Sequence, residues 1–317
     1  MILILSERKD ITTYHIAKWL EYYGKEVFIL TDEDKIKMLC INNNGISFEV
    51  DDYILNFKEI EAYWYRRGIF NLPFSINSEG LPNAIIDNLK KERALVNEIL
   101  HTYLLKIPNL SSIFNSDLNR VNVLYKAKDA ELQIPNFGIF NCKKDIEGFF
   151  SKYSKIITKP IWNGISTIEN NTLFINYTAE FTQEDLAGLP ELFAPSLFIE
   201  YIEKKYELRI FYLNGECYTI AILSQNDPKT QLDYRKYNIE KPNRNVSYLL
   251  PKNIEDKIRR LMENVNLKTG SIDIIVTPED DFVLLEINPI GQFLNVSQDC
   301  NYNIEKNIAL YLSNIAQ

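Results

Sequence analysis

Asp273, Glu286 and Asn288 are the residues of this chain whose spacing best suits metal chemistry, because it stacks oxygen donors on one face of a hairpin. They lie in Ser271–Asn288 (SIDIIVTPEDDFVLLEIN), where two runs rich in Ile, Val and Leu flank Pro278-Glu279-Asp280-Asp281. Such runs favour strands, and the residues between them favour a turn. If the four-residue loop closes symmetrically, Thr277 faces Phe282, and counting back sets Asp273 opposite Glu286. Asn288, two residues further on, shares that face. Opposed side chains stand about 4.5–5.5 Å apart at Cβ, and like charges there repel. A divalent cation removes the repulsion, and rigid oxygen donors suit Mg²⁺, which completes its shell with phosphate oxygens. By the same argument, replacing Asp273 or Glu286 with alanine should abolish the chemistry and leave the fold largely intact. The competing interpretation is an exposed hairpin face that is merely acidic.

Upstream, Phe198–Arg209 (FIEYIEKKYELR) reads as a strand ending in Glu200-Tyr201-Ile202, then a charged connection to Glu207 and Arg209. Backbone groups at such a strand end can pair with an adenine edge, and the Glu207 carboxylate can accept from ribose hydroxyls. A charged connection with no ligand is the alternative. Lys159 stands alone among apolar residues in Ile156–Thr167 (IITKPIWNGIST). Burying an unpaired ammonium is costly, so Lys159 either snorkels to water or meets an anion such as phosphate. Gly164 follows in a polar loop whose backbone can approach phosphates. Arg66 and Arg67 end the aromatic strand Ala62–Arg67 (AYWYRR). They can bind an acidic partner, or form a surface pair of no special role.

Composition narrows the classes further. The 317 residues carry 35 Lys+Arg against 43 Asp+Glu, a net charge of −8, which argues against a general nucleic-acid binder. No apolar run reaches the roughly 18 residues of a membrane helix. Met1–Leu5 is followed at once by charges, unlike a secretory signal, so a cytoplasmic chain is expected. The cysteines, Cys40, Cys142, Cys217 and Cys300, are scattered and fit free thiols better than a zinc site or disulfides. With only His15 and His101, histidine-ligated metals and Ser-His-Asp catalysis are improbable. Chemistry here must run on carboxylates, arginines and lysines, with or without a bound cofactor.

The elements that must position these residues follow from periodicity. Ile2–Leu5, a helix over Thr12–Tyr23 stopped by Gly24, and a strand over Lys25–Leu30 make a β-α-β opening, hence an α/β domain with a parallel core. A long helical stretch spans Leu81–Lys106, and turn-rich Ile107–Ser116 marks a domain boundary. A helix over Asn119–Leu132 and one over Asp145–Tyr153 alternate with strands at Phe137–Phe140, Lys155–Pro160, Thr172–Tyr177 and Leu197–Ile202. Strands Leu208–Leu213 and Glu216–Leu223 meet at Asn214-Gly215, a strong hairpin signal. Ile254–Val265 is an amphipathic helix that should pack on the acidic hairpin's sheet. Asp227–Ser247 is polar and suggests no element.

The order Lys159-Pro160…Gly164, Glu200-x-Ile202, Glu207-x-Arg209, Asp273, Glu286-x-Asn288 resembles the ATP-grasp ligases. Tyr63–Gly68 (YWYRRG), Asn119–Pro135 (NRVNVLYKAKDAELQIP), Ser224–Arg235 (SQNDPKTQLDYR) and Leu285–Phe293 (LEINPIGQF) are closer to its graspetide branch. Those ligases form microviridin-type ω-ester or ω-amide crosslinks in a ribosomal precursor peptide, and the nearest likeness is to "grasp-with-spasm" members. The resemblance implies an α/β and α+β fold: an N-terminal α/β domain over residues 1–115, a lid subdomain over 116–200 and a metal-bearing subdomain over 201–317. It also implies ATP and Mg²⁺ as cofactors. Lys159 and Arg120 would touch phosphates, Glu200, Tyr201 and Ile202 the adenine, and Glu207 the ribose. Relatives often carry lysine at the Arg120 position. Asp273, Glu286 and Asn288 would hold Mg²⁺, with Arg209 and Arg235 neutralising the transferring phosphoryl and the acyl-phosphate oxyanion. Arg66, Arg67, Gln225 and Asp233 would meet the peptide. The implied reaction activates an Asp or Glu side chain as an acyl phosphate for attack by a Ser or Thr hydroxyl or a Lys amine. A homodimer acting on a leader-plus-core peptide is expected, with no nucleic acid and no membrane. A RimK-like ligase adding free amino acids, or a nucleotide-binding scaffold without catalysis, are the rivals.

Overall fold

The apolar run Ile2–Ser6 is wholly buried in the computed structural model, which describes every residue except 73–79, 154, 163, 165, 170–171, 176–177, 225–242 and 317. It is the central strand of a parallel sheet, between Val27–Thr31 and Ala62–Tyr65. A parallel strand covered on both faces must be apolar throughout, which explains the absence of alternation. The helix Ile11–Tyr22 is capped by the Asp10 side chain, and Gly24 follows at φ +70°, the left-handed stop expected from the sequence. Ile36–Asn42, Gly45–Val50 and Tyr53–Asn56 then form an antiparallel sheet that periodicity did not reveal. The long helix spans Asn83–Leu104.

The chain divides into two compact units, Met1–Asp117 with Tyr302–Gln317, and Leu118–Asn301. The expected three-part division needs correcting at two places. The helix Ile304–Ile315 buries Ile304, Ile308 and Leu312 and packs on Ile11–Tyr22 and Ala62–Tyr65, so it belongs with the N-terminal unit. Its apolar stripe needs a surface, and that is where it finds one. The helix Arg120–Asp129, assigned to the lid, shares a core with the larger sheet: Val123 and Ala127 cluster with Leu208, Ile272 and Leu284.

Among its described residues the second unit contains the antiparallel pair Ser166–Glu169 and Thr172–Ile175, and two larger antiparallel sheets. The smaller runs Ala179–Phe181, Ile156–Lys159, Leu192–Glu200, Phe137–Cys142 in spatial order. One face packs Ile156, Phe181 and Phe198 against Ile146 and Leu186 of the helices Lys143–Lys152 and Gln183–Gly188. Alternation sends Ile157, Lys159 and Ile199 to the other face. The larger runs Arg244–Ser247, Glu216–Leu223, Tyr206–Leu213, Thr269–Val276, Phe282–Asn288. Its core face carries Leu208, Ile210, Ile272, Ile274, Leu284 and Ile287 against the helix Lys252–Asn264, as the amphipathic pattern required. Asn214 and Gly215 take φ +44° and +101° and join Leu213 to Glu216, the two-residue turn foreseen.

Asp273 does face Glu286, but by a different route from the one expected. The turn closes on three residues: Asp280, at φ +67°, donates to the Thr277 carbonyl, and the Thr277 N–H donates to Asp281. Val276, not Thr277, therefore pairs with Phe282. A bulge at Leu285 then restores the count, because Ile274 pairs with Leu284 while Asp273 pairs with Glu286. The bulge shifts the alternation, so Leu284 stays in the core while Leu285 and Glu286 both line the opposite side. Among the described residues, no helix is long and apolar enough to cross a membrane.

Candidate active site

Three adjacent strands of the larger sheet contribute one charged row. Arg209 pairs in register with Asp273, and Asp273 with Glu286. Alternation has already placed Leu208, Ile210, Ile272 and Ile274 in the core, so this row must occupy the other face. The Arg209 guanidinium donates to both Asp273 oxygens at 2.8 Å. The Lys159 ammonium lies 3.4 Å from Glu286, and the Arg120 guanidinium 3.6 Å from the same oxygen. Asn288 donates its amide to the other Glu286 oxygen at 3.4 Å.

These contacts change two expectations. Lys159 finds an anionic partner in Glu286 of the other sheet. The facing carboxylates do not stand as unrelieved repulsion either, since each is held by a cation. Asp273→Ala would strand the Arg209 guanidinium, which is largely buried, so the variant should cost stability rather than relieve strain. Arg120 opens the helix Arg120–Asp129, whose N-cap is Asn119, and also donates to the carbonyls of Pro160 and Trp162. Its planar fork meets three oxygen positions from two separate nitrogens, a spread that the single ammonium of a lysine does not have.

The row borders a cavity of about 90 Å³, open to solvent and lined by residues of both the smaller and the larger sheet. Glu200, Tyr201, Ile202 and Glu207 line it together with Lys159, Asp273 and Glu286. The Glu200 N–H donates to Asn136 and the Tyr201 N–H to Lys155. The Ile202 N–H makes no such bond among the described residues. Glu207 is buried and accepts from Lys204, also buried and also at the cavity wall. Lys204 was not singled out in the sequence; its i, i+3 relation to Glu207 was visible, but not its burial.

The turn after Asn288 closes the site's far end. Ser271, paired with Asn288, donates to the Gln292 carbonyl at 3.1 Å, and Phe293 packs on Phe211 at 4.7 Å between ring centres. Gly291 is required there, because a Cβ would stand 2.6 Å from the Ser271 backbone nitrogen. The oxygen donors Asp273, Glu286 and Asn288 fit Mg²⁺ by type and by shared face. Among the described residues no group of three His, Cys, Asp or Glu could hold a metal, so a cation here would need further oxygens from water or phosphate. That suits Mg²⁺, which gives up its waters reluctantly.

Arg66 and Arg67 lie in the N-terminal unit and differ sharply. Arg66 is 2% exposed and donates to Asp10 at 2.9 Å. Burial alone would raise the Asp10 pKa, but the Arg66 charge and hydrogen bonds from Thr12 outweigh it and hold that carboxyl below its usual range. Such burial leaves no open face for a peptide, so Arg66 is better explained as structural. Arg67 keeps a partly exposed guanidinium 4.0 Å from Glu7. Gln225, Asp233 and Arg235 lie outside the described residues.

No family model matches the chain, and no curated protein matches it. Solved structures do. Over 99% of its length and 99% of the other chain, it is similar at 29% identity and TM-score 0.80 to macrocyclase MdnC from Microcystis aeruginosa MRC, bound with precursor peptide MdnA. At 24% identity and TM-score 0.83, covering 100% of this chain and 97% of the other, it is similar to a RiPP-associated ATP-grasp ligase from Chryseobacterium gregarium, in complex with ADP and a leader and core peptide. The ATP-grasp ligase PsnB, complexed with a minimal precursor, Mg and ADP, aligns with 100% of this chain and 97% of its own at 16% identity and TM-score 0.74. The chain has the ATP-grasp fold, and the resemblance drawn from its motifs is the one its structural neighbours carry.

Proposed function

We propose that this protein is an ATP-dependent ligase that crosslinks a ribosomally made precursor peptide, joining Asp or Glu side chains to Ser, Thr or Lys side chains. One observation carries this reading: a single cavity gathers the strand end Glu200–Ile202, buried Glu207, the Lys159 ammonium and the Asp273–Glu286 pair. A nucleotide has an aromatic edge, vicinal hydroxyls and a polyanion, and these residues are complementary to the three parts in that order. The likeness to a macrocyclase bound with its precursor, over nearly the whole length of both chains, supports the peptide as substrate.

A carboxylate resists nucleophiles because its oxygens carry the charge. In the proposed reaction a peptide carboxylate oxygen attacks the γ-phosphorus, the bond to the β-phosphate oxygen breaks and ADP leaves. A hydroxyl or amine then attacks the acyl carbon, loses its proton and expels phosphate. Asp273, Glu286 and Asn288 would hold Mg²⁺, which would supply neutralisation of the phosphate oxygens. Lys159 and Arg120 orient the polyphosphate, and Arg209, with Arg235, meets the charge that develops at the transferring group. Catalysis of this kind rests on positioning and preorganised charge, so the scarcity of histidine is no obstacle. Removing one such charge contact costs about 10²–10³ in rate.

The test is mass spectrometry of a candidate precursor, containing clustered acidic residues with Thr, Ser or Lys, after incubation with protein, ATP and Mg²⁺. The expected product is lighter by one water for each bond formed. A peptide heavier by an amino-acid residue would favour the RimK-like alternative, and ADP release with unchanged peptide mass would refute crosslinking.

A further inference from the structure

The arrangement of cations around Glu286 has a consequence for how nucleotide and metal enter. Lys159, at 3.4 Å, and Arg120, at 3.6 Å, converge on the same Glu286 oxygen, and Arg209 holds both oxygens of Asp273 at 2.8 Å. These are the cations expected to meet phosphate, and they are engaged by the carboxylates expected to meet the metal. We infer that Glu286 acts as a competitor that selects metal-complexed nucleotide: it keeps Lys159 and Arg120 from phosphate until a divalent cation takes the carboxylate from them. The inference rests on the nucleotide reading given above and adds a specificity role for a residue otherwise placed only as a ligand.

The charges support this order of events. Among the described residues, three cationic side chains are paired with two anionic ones. Metal-free nucleotide would bring a polyanion against Glu286 and Asp273 as well as having to displace their partners. Free metal would meet carboxylates already neutralised and would push against three cations. Metal and phosphate arriving together exchange these ion pairs for others, so each group that gives up its partner here gains a new one in a partly buried site. Neither ligand alone allows that exchange. The contacts reach between two sheets, Lys159 from the smaller and Glu286 from the larger, so the exchange also frees the contact that ties them.

The test is binding of ADP to the full-length protein by calorimetry, in EDTA and in Mg²⁺, for the wild type, Glu286→Gln, Lys159→Met and the double variant. Wild type should bind ADP more weakly in EDTA than in Mg²⁺. Glu286→Gln, which keeps the shape and removes the charge, should bind metal-free ADP roughly tenfold more tightly than wild type and gain little from Mg²⁺. The gain in EDTA should shrink in the Lys159→Met background, since Lys159 would no longer be there to be released. If wild type binds ADP with Mg²⁺ but Glu286→Gln binds metal-free ADP no better than wild type, with its melting temperature retained, the selection role is wrong. If wild type binds ADP under neither condition, the nucleotide reading itself fails, and the inference with it. A gain that persists undiminished without Lys159 would also overturn the proposed release.

Discussion

Asp10 and Arg66 show how burial separates neighbouring residues that look equivalent in sequence. Both side chains are nearly inaccessible, and burying a charge is tolerable only with its partner present. Arg66→Met should therefore destabilise the protein by about 3–5 kcal/mol, because Asp10 is left uncompensated. Arg67→Met, which loses an exposed pair with Glu7 at 4.0 Å, should change stability by about 1 kcal/mol or less. Urea unfolding of the two variants checks this, and equal losses would count against a structural role for Arg66 alone. The sequence marked both arginines and could not tell them apart, since the partner, Asp10, is 56 residues away. Lys159 and Glu286 are a similar case at 127 residues. In each, one member was legible as a charge in the wrong place, and its partner was not.

At the level of elements, the acidic hairpin was legible because its strands are β-rich and its loop is turn-like. Its register was not, because the turn takes three residues and the bulge at Leu285 takes one back. Loop closure and a bulge are decided by hydrogen bonds to neighbouring strands, which a local pattern does not contain. The strands Ile36–Asn42, Gly45–Val50 and Tyr53–Asn56 escaped for another reason: exposed apolar residues such as Met38, Leu39 and Ile54 blur their alternation. Arg244–Ser247 escaped as a short edge strand in a polar stretch. The turn Pro289–Phe293 yields a prediction of its own. Gly291→Ala must push the Ser271 backbone away, and Ser271 pairs with Asn288 beside the charged row. The variant should lose about 1–3 kcal/mol of stability, as overpacking does, and should bind Mg·ADP more weakly. Calorimetry and thermal unfolding read both effects, and wild-type behaviour in each would show that the turn yields without disturbing the site.

For the molecule as a whole, two units with separate cores give stability a dependence on pH that can be traced to one of them. His101 is packed among Tyr65, Phe70 and Phe114, and burial holds its imidazole down at about 4. The folded state then resists a proton that the unfolded chain accepts near pH 6.5. Stability should be unaffected by this group above that pH, fall as pH drops from 6.5 towards 4, and level off below, a loss of up to about 3 kcal/mol. His101→Phe should flatten this part of the profile in denaturant unfolding followed over pH, and an unchanged slope would assign the dependence elsewhere. Sequence alone determined much about this protein: the alternating elements, the residue types that can serve a nucleotide and a divalent cation, and the order in which they occur along the chain. Those follow from local periodicity and from the chemistry of single side chains. Only the tertiary structure decided that the last helix returns to the first unit, that Arg66 is sealed against Asp10, and that Lys159 and Arg120 meet on one oxygen of Glu286. The physical reason is that burial and charge pairing depend on groups brought together from distant segments, and the net effect of an ion pair is set by the desolvation of both partners in the folded state.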